Sequence, residues 1–130
     1  MTRDEVVAAL NAQARAWEAG DVDAIMAHYA PDAILIAPAT HLIGAAAIRA
    51  SFANYLTTYA VRRITLTRVI LDDGQGTQGT DSATGALEWT WGETRHADNQ
   101  QNTIDDAIIF TLRADKIIHW REYFDTTTHA

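Results

Sequence analysis

The chain has 130 residues, of which 48% are hydrophobic and 21% are charged, a composition typical of one folded domain over residues 1–130 and not of a disordered chain. A net charge of −7 repels phosphate backbones, and no polybasic stretch or long apolar run is present, so we expect neither a nucleic-acid nor a membrane partner. The absence of cysteine excludes disulfides and thiol chemistry, and the N terminus lacks a signal-peptide core, so we expect a cytoplasmic location.

Three helices are predicted in the first half of the chain. Thr2 and Glu5 fit a capping box at the start of the first helix, which Gly20 can end. Asp21 can cap a shorter second helix, and Pro31 ends it. The predicted apolar faces are Val6, Leu10, Ala14 and Trp17 in the first helix, Val22, Ile25, Met26 and Tyr29 in the second, and Ile48, Phe52, Tyr55, Leu56 and Tyr59 in the third, which follows Gly44.

The rest of the chain is predicted to form strands. A short one covers Ala33–Ala37, before the third helix. The segment Asp72–Asp81 has the G-x-G-x-x-G spacing of a dinucleotide site, but a strand-like segment follows it, so we interpret it as a loop between strands. This order of elements predicts an α+β fold with helices on one face of a curved, mostly antiparallel sheet. The four longer strands are Val61–Leu71, Ala83–Thr94, Asn102–Leu112 and Lys116–Asp125.

Two carboxylates are predicted on the apolar face of the last hairpin. With a three-residue loop over residues 113–115, Asp106 lies opposite Glu122 and Ile108 lies opposite Trp120. Like charges opposed on a dry face repel, so one carboxyl should stay protonated near neutral pH, as general acid–base catalysis requires. The alternatives are a structural pair satisfied by an arginine or tyrosine, or a register slipped by one residue.

Aromatic side chains from several elements can surround this pair, as in a typical small-molecule site. The alternative is that they simply pack in the core. The five histidines lack the spacing of metal ligands, so we predict no metal site and no cofactor. The predicted ligand-binding residues are Trp17, Tyr55, Tyr59, Trp89, Trp91, Ile108, Trp120 and Phe124.

Four segments are similar to a known family: Ala19–Ile25, Tyr29–Ala33, Gly44–Arg49 and Trp120–Asp125. Through them the chain resembles the SnoaL-like branch of the NTF2-like superfamily. The resemblance implies a cone-shaped α+β barrel with three N-terminal helices, a deep pocket and a homodimer packed through the outer sheet face. Relatives of this kind include polyketide cyclases, ketosteroid isomerases, limonene-type epoxide hydrolases and non-catalytic binding domains.

The resemblance transfers few catalytic residues to this sequence. Ala37 stands where ketosteroid isomerases have their general base. Trp89 and Trp91 stand where the epoxide hydrolases have an arginine and an aspartate, whereas Glu122 matches their second catalytic acid. The resemblance therefore implies an inward-facing Glu122 and leaves the reaction open.

We expect a cofactor-independent enzyme in which Asp106 and Glu122 act as acid and base on a small hydrophobic, oxygenated molecule. The reaction would be an isomerisation, cyclisation, dehydration or epoxide opening. The alternative is a binding or accessory domain without activity. The outer face of the last strands has the mixture of residues typical of an interface, so we also expect a homodimer. Those residues are Ile109, Thr111, Ile117, His119, Arg121 and Tyr123.

Overall fold

The computed structural model describes residues 1–72 and 81–126, and the glycine motif at residues 74–79 lies outside the described residues. Three helices are present: α1 (Arg3–Ala19), α2 (Val22–Met26) and α3 (Ala45–Thr58). None of the described helices is both long enough and apolar enough to span a membrane.

The predicted ends of α1 are confirmed. The Thr2 hydroxyl accepts the Glu5 N–H at 3.2 Å, and the Glu5 carboxylate accepts the Thr2 N–H at 3.0 Å. Gly20 ends the helix with a φ of 69°, a left-handed conformation that glycine adopts without a steric penalty. Asp21 caps α2 as predicted, because its carboxylate accepts the N–H groups of Asp23 and Ala24.

Six strands form one mixed sheet, in the order β2-β1-β6-β5-β4-β3. Neighbours are antiparallel except β1 and β6, which are parallel. The α+β class is confirmed, with the helices packed on the sheet. The strands are β1 (Tyr29–Ala37), β2 (Thr40–Ile43), β3 (Tyr59–Leu71), β4 (Ser82–Arg95), β5 (Gln101–Arg113) and β6 (Lys116–Tyr123).

The predicted boundaries near the first strand were wrong. Tyr29 belongs to β1 and not to α2, and Pro31 lies inside this strand. The register against β6 shifts between Tyr29 and Ile34, so the proline, which has no N–H, lies in an irregular stretch of the ladder. The short strand β2 was not predicted; it pairs with β1 after a tight turn in which Ala39 has a φ of 58°.

The register of the β5–β6 hairpin differs from the prediction by two residues. The turn has two residues, Ala114 and Asp115, both with positive φ, and a bulge follows it. Ile108 therefore lies opposite Glu122, and Asp106 lies diagonal to Glu122 instead of opposite it. Because a shift of two residues does not change the face, Asp106 and Glu122 still share one side of the sheet.

The helices bury their apolar faces against one face of the sheet. Leu10, Ile25 and Ile48, one from each helix, are at most 1% exposed. Polar contacts also join α1 to β3: Arg15 donates to the Ile64 carbonyl at 2.6 Å, and Glu18 accepts the Ile64 N–H at 2.8 Å. These contacts hold α1 against the sheet.

Gly85 provides a test of the β3–β4 pairing. A Cβ atom at this position would lie 2.2 Å from the Ile70 carbonyl oxygen, so the backbone must shift to admit one. We expect Gly85→Ala to lower the free energy of unfolding by about 1–3 kcal/mol, the usual cost of overpacking, measured by urea denaturation. Thr65→Ala, at an exposed position of the same pair of strands, is the control and should change it by less than about 0.5 kcal/mol. Equal stability of the two variants would contradict this assignment.

Candidate functional site

A cavity of about 240 Å³ opens between α1, α3 and the covered face of the sheet. Most of its wall is apolar, and five of its residues are aromatic. It also contains three carboxyl groups, and no described lysine, arginine or histidine lines it. The lining residues are Trp17, Leu35, Ala37, Thr40, Ser51, Phe52, Tyr55, Trp91, Glu93, Ile104, Asp106, Glu122 and Phe124.

Asp106 projects from β5 into this cavity and is only 7% exposed. Its partner across the strands is Trp89, whose indole Nε1–H donates to Asp106 Oδ2 at 2.9 Å. Burial, followed by the negative charge of Glu122, raises the pKa of Asp106 to about 8, although the indole hydrogen bond opposes this shift. The carboxyl therefore holds its proton at neutral pH.

Glu122 projects from β6 into the same cavity and is held in the same way. The Trp120 indole Nε1–H donates to Glu122 Oε1 at 2.8 Å, from two positions earlier in the strand. Burial raises the pKa of the Glu122 carboxyl above its ordinary value. Each member of the pair thus has one oxygen fixed by a tryptophan, and an indole N–H donates but cannot accept a proton.

A buried polar pair lies behind Glu122. Gln13 Nε2 donates to the Tyr29 hydroxyl at 3.0 Å, and both side chains are buried. Burial and the charge of Glu122 raise the pKa of Tyr29 well above its ordinary value, so this phenol stays protonated. Gln13 Oε1 is the only fully buried side-chain polar atom without a partner among the described residues.

Glu93 is the third carboxyl and was not predicted. It is fully buried, and it accepts hydrogen bonds from the Tyr55 hydroxyl at 2.5 Å and from Asn102 Nδ2 at 3.2 Å. The Tyr55 oxygen in turn accepts the Trp91 Nε1–H at 2.9 Å. Burial and the bond to Glu93 raise the pKa of Tyr55 far above its ordinary value. The alternation of Trp89, Trp91 and Glu93 on one face of β4 was the signal that could have identified it.

The structure places four of the eight predicted ligand-binding residues on the cavity wall: Trp17, Tyr55, Trp91 and Phe124. The other four do not line it. Trp89 and Trp120 lie behind the carboxyls that they hold, Ile108 is a core residue that is 1% exposed, and Tyr59 stacks on Tyr55 with ring centroids 5.1 Å apart. Contact of any of these residues with a ligand stays a prediction.

The acidic and histidine side chains within residues 1–72 and 81–126 include no group of three or more arranged to hold a metal ion. The prediction that no metal is required stays a prediction. The prediction that no cofactor is required stays a prediction.

A family model described as the SnoaL-like domain matches residues 10–120, so the chain belongs to this family. The resemblance predicted from the sequence is confirmed. No curated protein matches the chain.

Solved structures share the fold at low sequence identity. A protein with a ketosteroid isomerase-like fold from Catenulispora acidiphila, in complex with trimethylamine, has a TM-score of 0.72 and 17% identity over 92% of this chain and 87% of that one. A protein described as a polyketide cyclase from Xanthomonas campestris gives 0.75 and 19%, over 96% and 93%. The LEH-like epoxide hydrolase of M. tuberculosis gives 0.73 and 17%, over 96% and 86%.

The raised pKa of Asp106 makes stability depend on pH. Between its ordinary value of 3.8 and its folded value of about 8, the folded chain keeps a proton that the unfolded chain releases. Stability is therefore greatest below this range and is lost as the pH rises to about 8. Asp106→Asn keeps an acceptor for Trp89 but has no charge, so at pH 9 it should be more stable than the wild type by at least about 1.4 kcal/mol, the equivalent of one pKa unit.

Urea denaturation at pH 5 and pH 9 measures this difference, which should be clearly smaller at pH 5, because only the lowest part of the range above 3.8 has been crossed there. The control is Asp105→Asn, which alters the exposed neighbour on the opposite face of β5. An Asp106→Asn variant that is no more stable than the wild type at pH 9 would rule out a strained Asp106 carboxylate.

Proposed function

We propose that the chain is a cofactor-independent enzyme that transfers protons to and from a small, largely apolar, oxygenated molecule. The observation that carries this proposal is the pair Asp106 and Glu122, which lines an aromatic-walled cavity with each carboxyl anchored through one oxygen. The family and the structural relatives support this class of chemistry, since they include cyclase, isomerase and epoxide hydrolase folds.

The mechanism follows from how the two carboxyls are held. Trp89 and Trp120 fix one oxygen of each group, so the second oxygen can face a ligand in the cavity. Because burial and mutual repulsion disfavour two charges, the pKa of each carboxyl is raised, and the pair keeps a proton at neutral pH. The ionised member takes a proton from the ligand or, in epoxide opening, from the water that attacks the ring, and the protonated member gives one to the oxygen on which charge develops.

We assign the transfer to Glu122 and the sharing of the proton to Asp106. Glu122 matches the position of a catalytic carboxylate in the resembling epoxide hydrolases, and it reaches the cavity next to Phe124. Isomerisation, cyclisation, dehydration and epoxide opening all need this pair of proton transfers, so the assignment does not depend on which of them occurs.

Replacement of Glu122 by glutamine keeps the shape of the side chain and removes the base. On a panel of small cyclic ketones, enones and epoxides in D₂O, we expect the wild type to accelerate deuterium uptake or ring opening of at least one compound, followed by NMR. Glu122→Gln should reduce that rate by about 100-fold or more, the scale of general acid–base catalysis. Its melting temperature should hold or rise, because the repulsion within the pair is relieved.

Glu88→Gln is the matched control, since Glu88 is an exposed residue of β4 that does not line the cavity, and it should keep the wild-type rate. A folded Glu122→Gln protein with the full rate would contradict the catalytic assignment.

The second candidate function is binding without turnover. It is favoured by Ala37, an apolar residue in the cavity wall at the position of the ketosteroid isomerase base. The Catenulispora relative is a complex with trimethylamine, so a protein with this fold can hold a small molecule. A wild-type protein that binds members of the panel but accelerates none of their reactions would favour this function.

We further propose a homodimer through the outer face of β5 and β6; the dimer and the cone-shaped barrel implied by the resemblance stay predictions. Ile109 is 47% exposed and Tyr123 is 48% exposed, and the Arg121 guanidinium lies 5.4 Å from the Tyr123 ring centroid. One predicted interface residue was wrong: Ile117 is only 2% exposed, because the bulge in β6 turns it into the core.

Light scattering at micromolar concentration should give about twice the chain mass of 14.3 kDa. Ile109→Asp should shift the protein to the monomer, because a charge at the centre of an apolar contact is costly to desolvate. Ile70→Asp, at a residue that is 50% exposed on β3, is the control and should leave the mass unchanged. A wild-type monomer would exclude this dimer.

A further inference from the structure

The ionisable groups that line the cavity include only acids among the described residues. Glu93, Asp106 and Glu122 line it, and none of the described residues of its wall is basic. The chain as a whole carries a net charge of −7. An anionic ligand would be repelled by both the wall and the surrounding field, whereas a cation would be attracted to the cavity before it enters.

The aromatic side chains of the cavity wall meet edge to face around Trp17. The ring plane of Trp17 lies at 65° to Phe52, 84° to Tyr55 and 67° to Trp91, with centroids 4.7, 5.8 and 5.0 Å away. All four rings line the cavity, and Phe124 is a fifth. Rings set at steep angles present faces and edges in different directions, and the face of an aromatic ring attracts a cation.

Two carboxyl oxygens in this cavity receive no hydrogen bond from the described part of the chain. They are Asp106 Oδ1 and Glu122 Oε2, and both open onto the cavity, because Gln13 Oε1 is the only fully buried side-chain polar atom without a partner among the described residues. A ligand that brings a positive charge or an N–H donor to these oxygens would satisfy them and offset the repulsion between the two groups. By contrast, both oxygens of Glu93 already accept hydrogen bonds, from Tyr55 and Asn102.

The cation that fits is an organic one. The described carboxyls are not arranged as ligands for a metal ion, and most of the wall between them is apolar. An alkylated ammonium group matches this surface, because its charge is spread over C–H groups that pack against indole and phenyl rings.

We infer that the cavity recognises a small organic cation, a protonated or quaternary amine carried on an otherwise apolar, oxygenated molecule. This inference rests on the proposed function only in treating the cavity as the ligand site, and it names the class of ligand. The ammonium group would lie among the aromatic rings with Asp106 and Glu122 beside it.

The decisive comparison uses two probes of the same shape on the wild-type protein. Choline is a quaternary ammonium alcohol, and 3,3-dimethyl-1-butanol is its neutral carbon isostere. Dissociation constants come from titration of the ¹H–¹⁵N indole resonances, which also locate the probe, since Trp17 and Trp91 line the cavity whereas Trp89 and Trp120 do not. We expect choline to bind at least about fivefold more tightly than the alcohol, within the range of cation–π attraction, with the largest shifts at Trp17 and Trp91.

Two variants measure separately what the negative charge and the aromatic surface contribute to choline binding. Glu122→Gln should weaken choline binding severalfold and leave the alcohol unchanged. Phe124→Leu keeps apolar bulk but removes a ring face, so it should weaken choline more than the alcohol. Glu88→Gln, outside the cavity, should change neither constant. Circular dichroism melts confirm that each variant is folded before it is titrated.

The results of these titrations can be distinguished from the results of the catalytic test on ketones, enones and epoxides. Equal affinity for the two probes, no binding of choline, or shifts confined to tryptophans outside the cavity would overturn the cation inference, even if the ketone and epoxide panel reveals catalysis. A clear preference for choline with no catalysis on that panel would support the cation site and count against the acid–base enzyme.

Discussion

Two carboxyl groups lie on the apolar face of the β5–β6 hairpin. Because water is largely excluded there, the ionised form of each group is less stable than it would be in solvent. None of the described arginine or lysine side chains lines the cavity that holds them. The fold gives each carboxyl an indole N–H, from Trp89 or Trp120, which fixes the orientation of the group without supplying a full charge. The pair therefore stays both ordered and easily protonated, and this combination is what the cavity around it can use.

The sharing of one sheet face by these groups could be predicted from the sequence because it depends only on parity. Side chains alternate along a strand, so Asp106 and Glu122 stay on the same face under any register shift of an even number of residues. Their exact opposition could not be predicted, because it depends on the length of the turn and on a bulge. The turn at Ala114 and Asp115 is one residue shorter than expected, and the bulge turns Ile117 inward.

The sequence pattern could not distinguish aromatic residues of the core from those of the cavity wall. Trp89 and Trp91 alternate on one strand with the same periodicity, yet Trp89 is packed behind Asp106 whereas Trp91 lines the cavity. Helix α3 decides which of them lines the cavity. Its Phe52 contacts Trp17, and its Tyr55 contacts Trp91. These contacts join residues far apart in the chain, so no local pattern reports them. Glu93 was missed because a glutamate near the end of a predicted strand usually lies in solvent.

The three carboxyls differ in how many of their oxygens accept hydrogen bonds, and this difference indicates different roles. Glu93 accepts at both oxygens, from Tyr55 and Asn102, so its position is fixed from two sides and it ties α3 to the sheet. Asp106 and Glu122 accept at one oxygen each and leave the other directed at a space that a ligand can enter. These two oxygens open onto the cavity, since Gln13 Oε1 is the only fully buried side-chain polar atom without a partner among the described residues. A ligand that brings a proton or a positive charge to these oxygens would bind favourably there and would offset the repulsion between the two carboxyls. The repulsion within the pair is thereby linked to its proposed use.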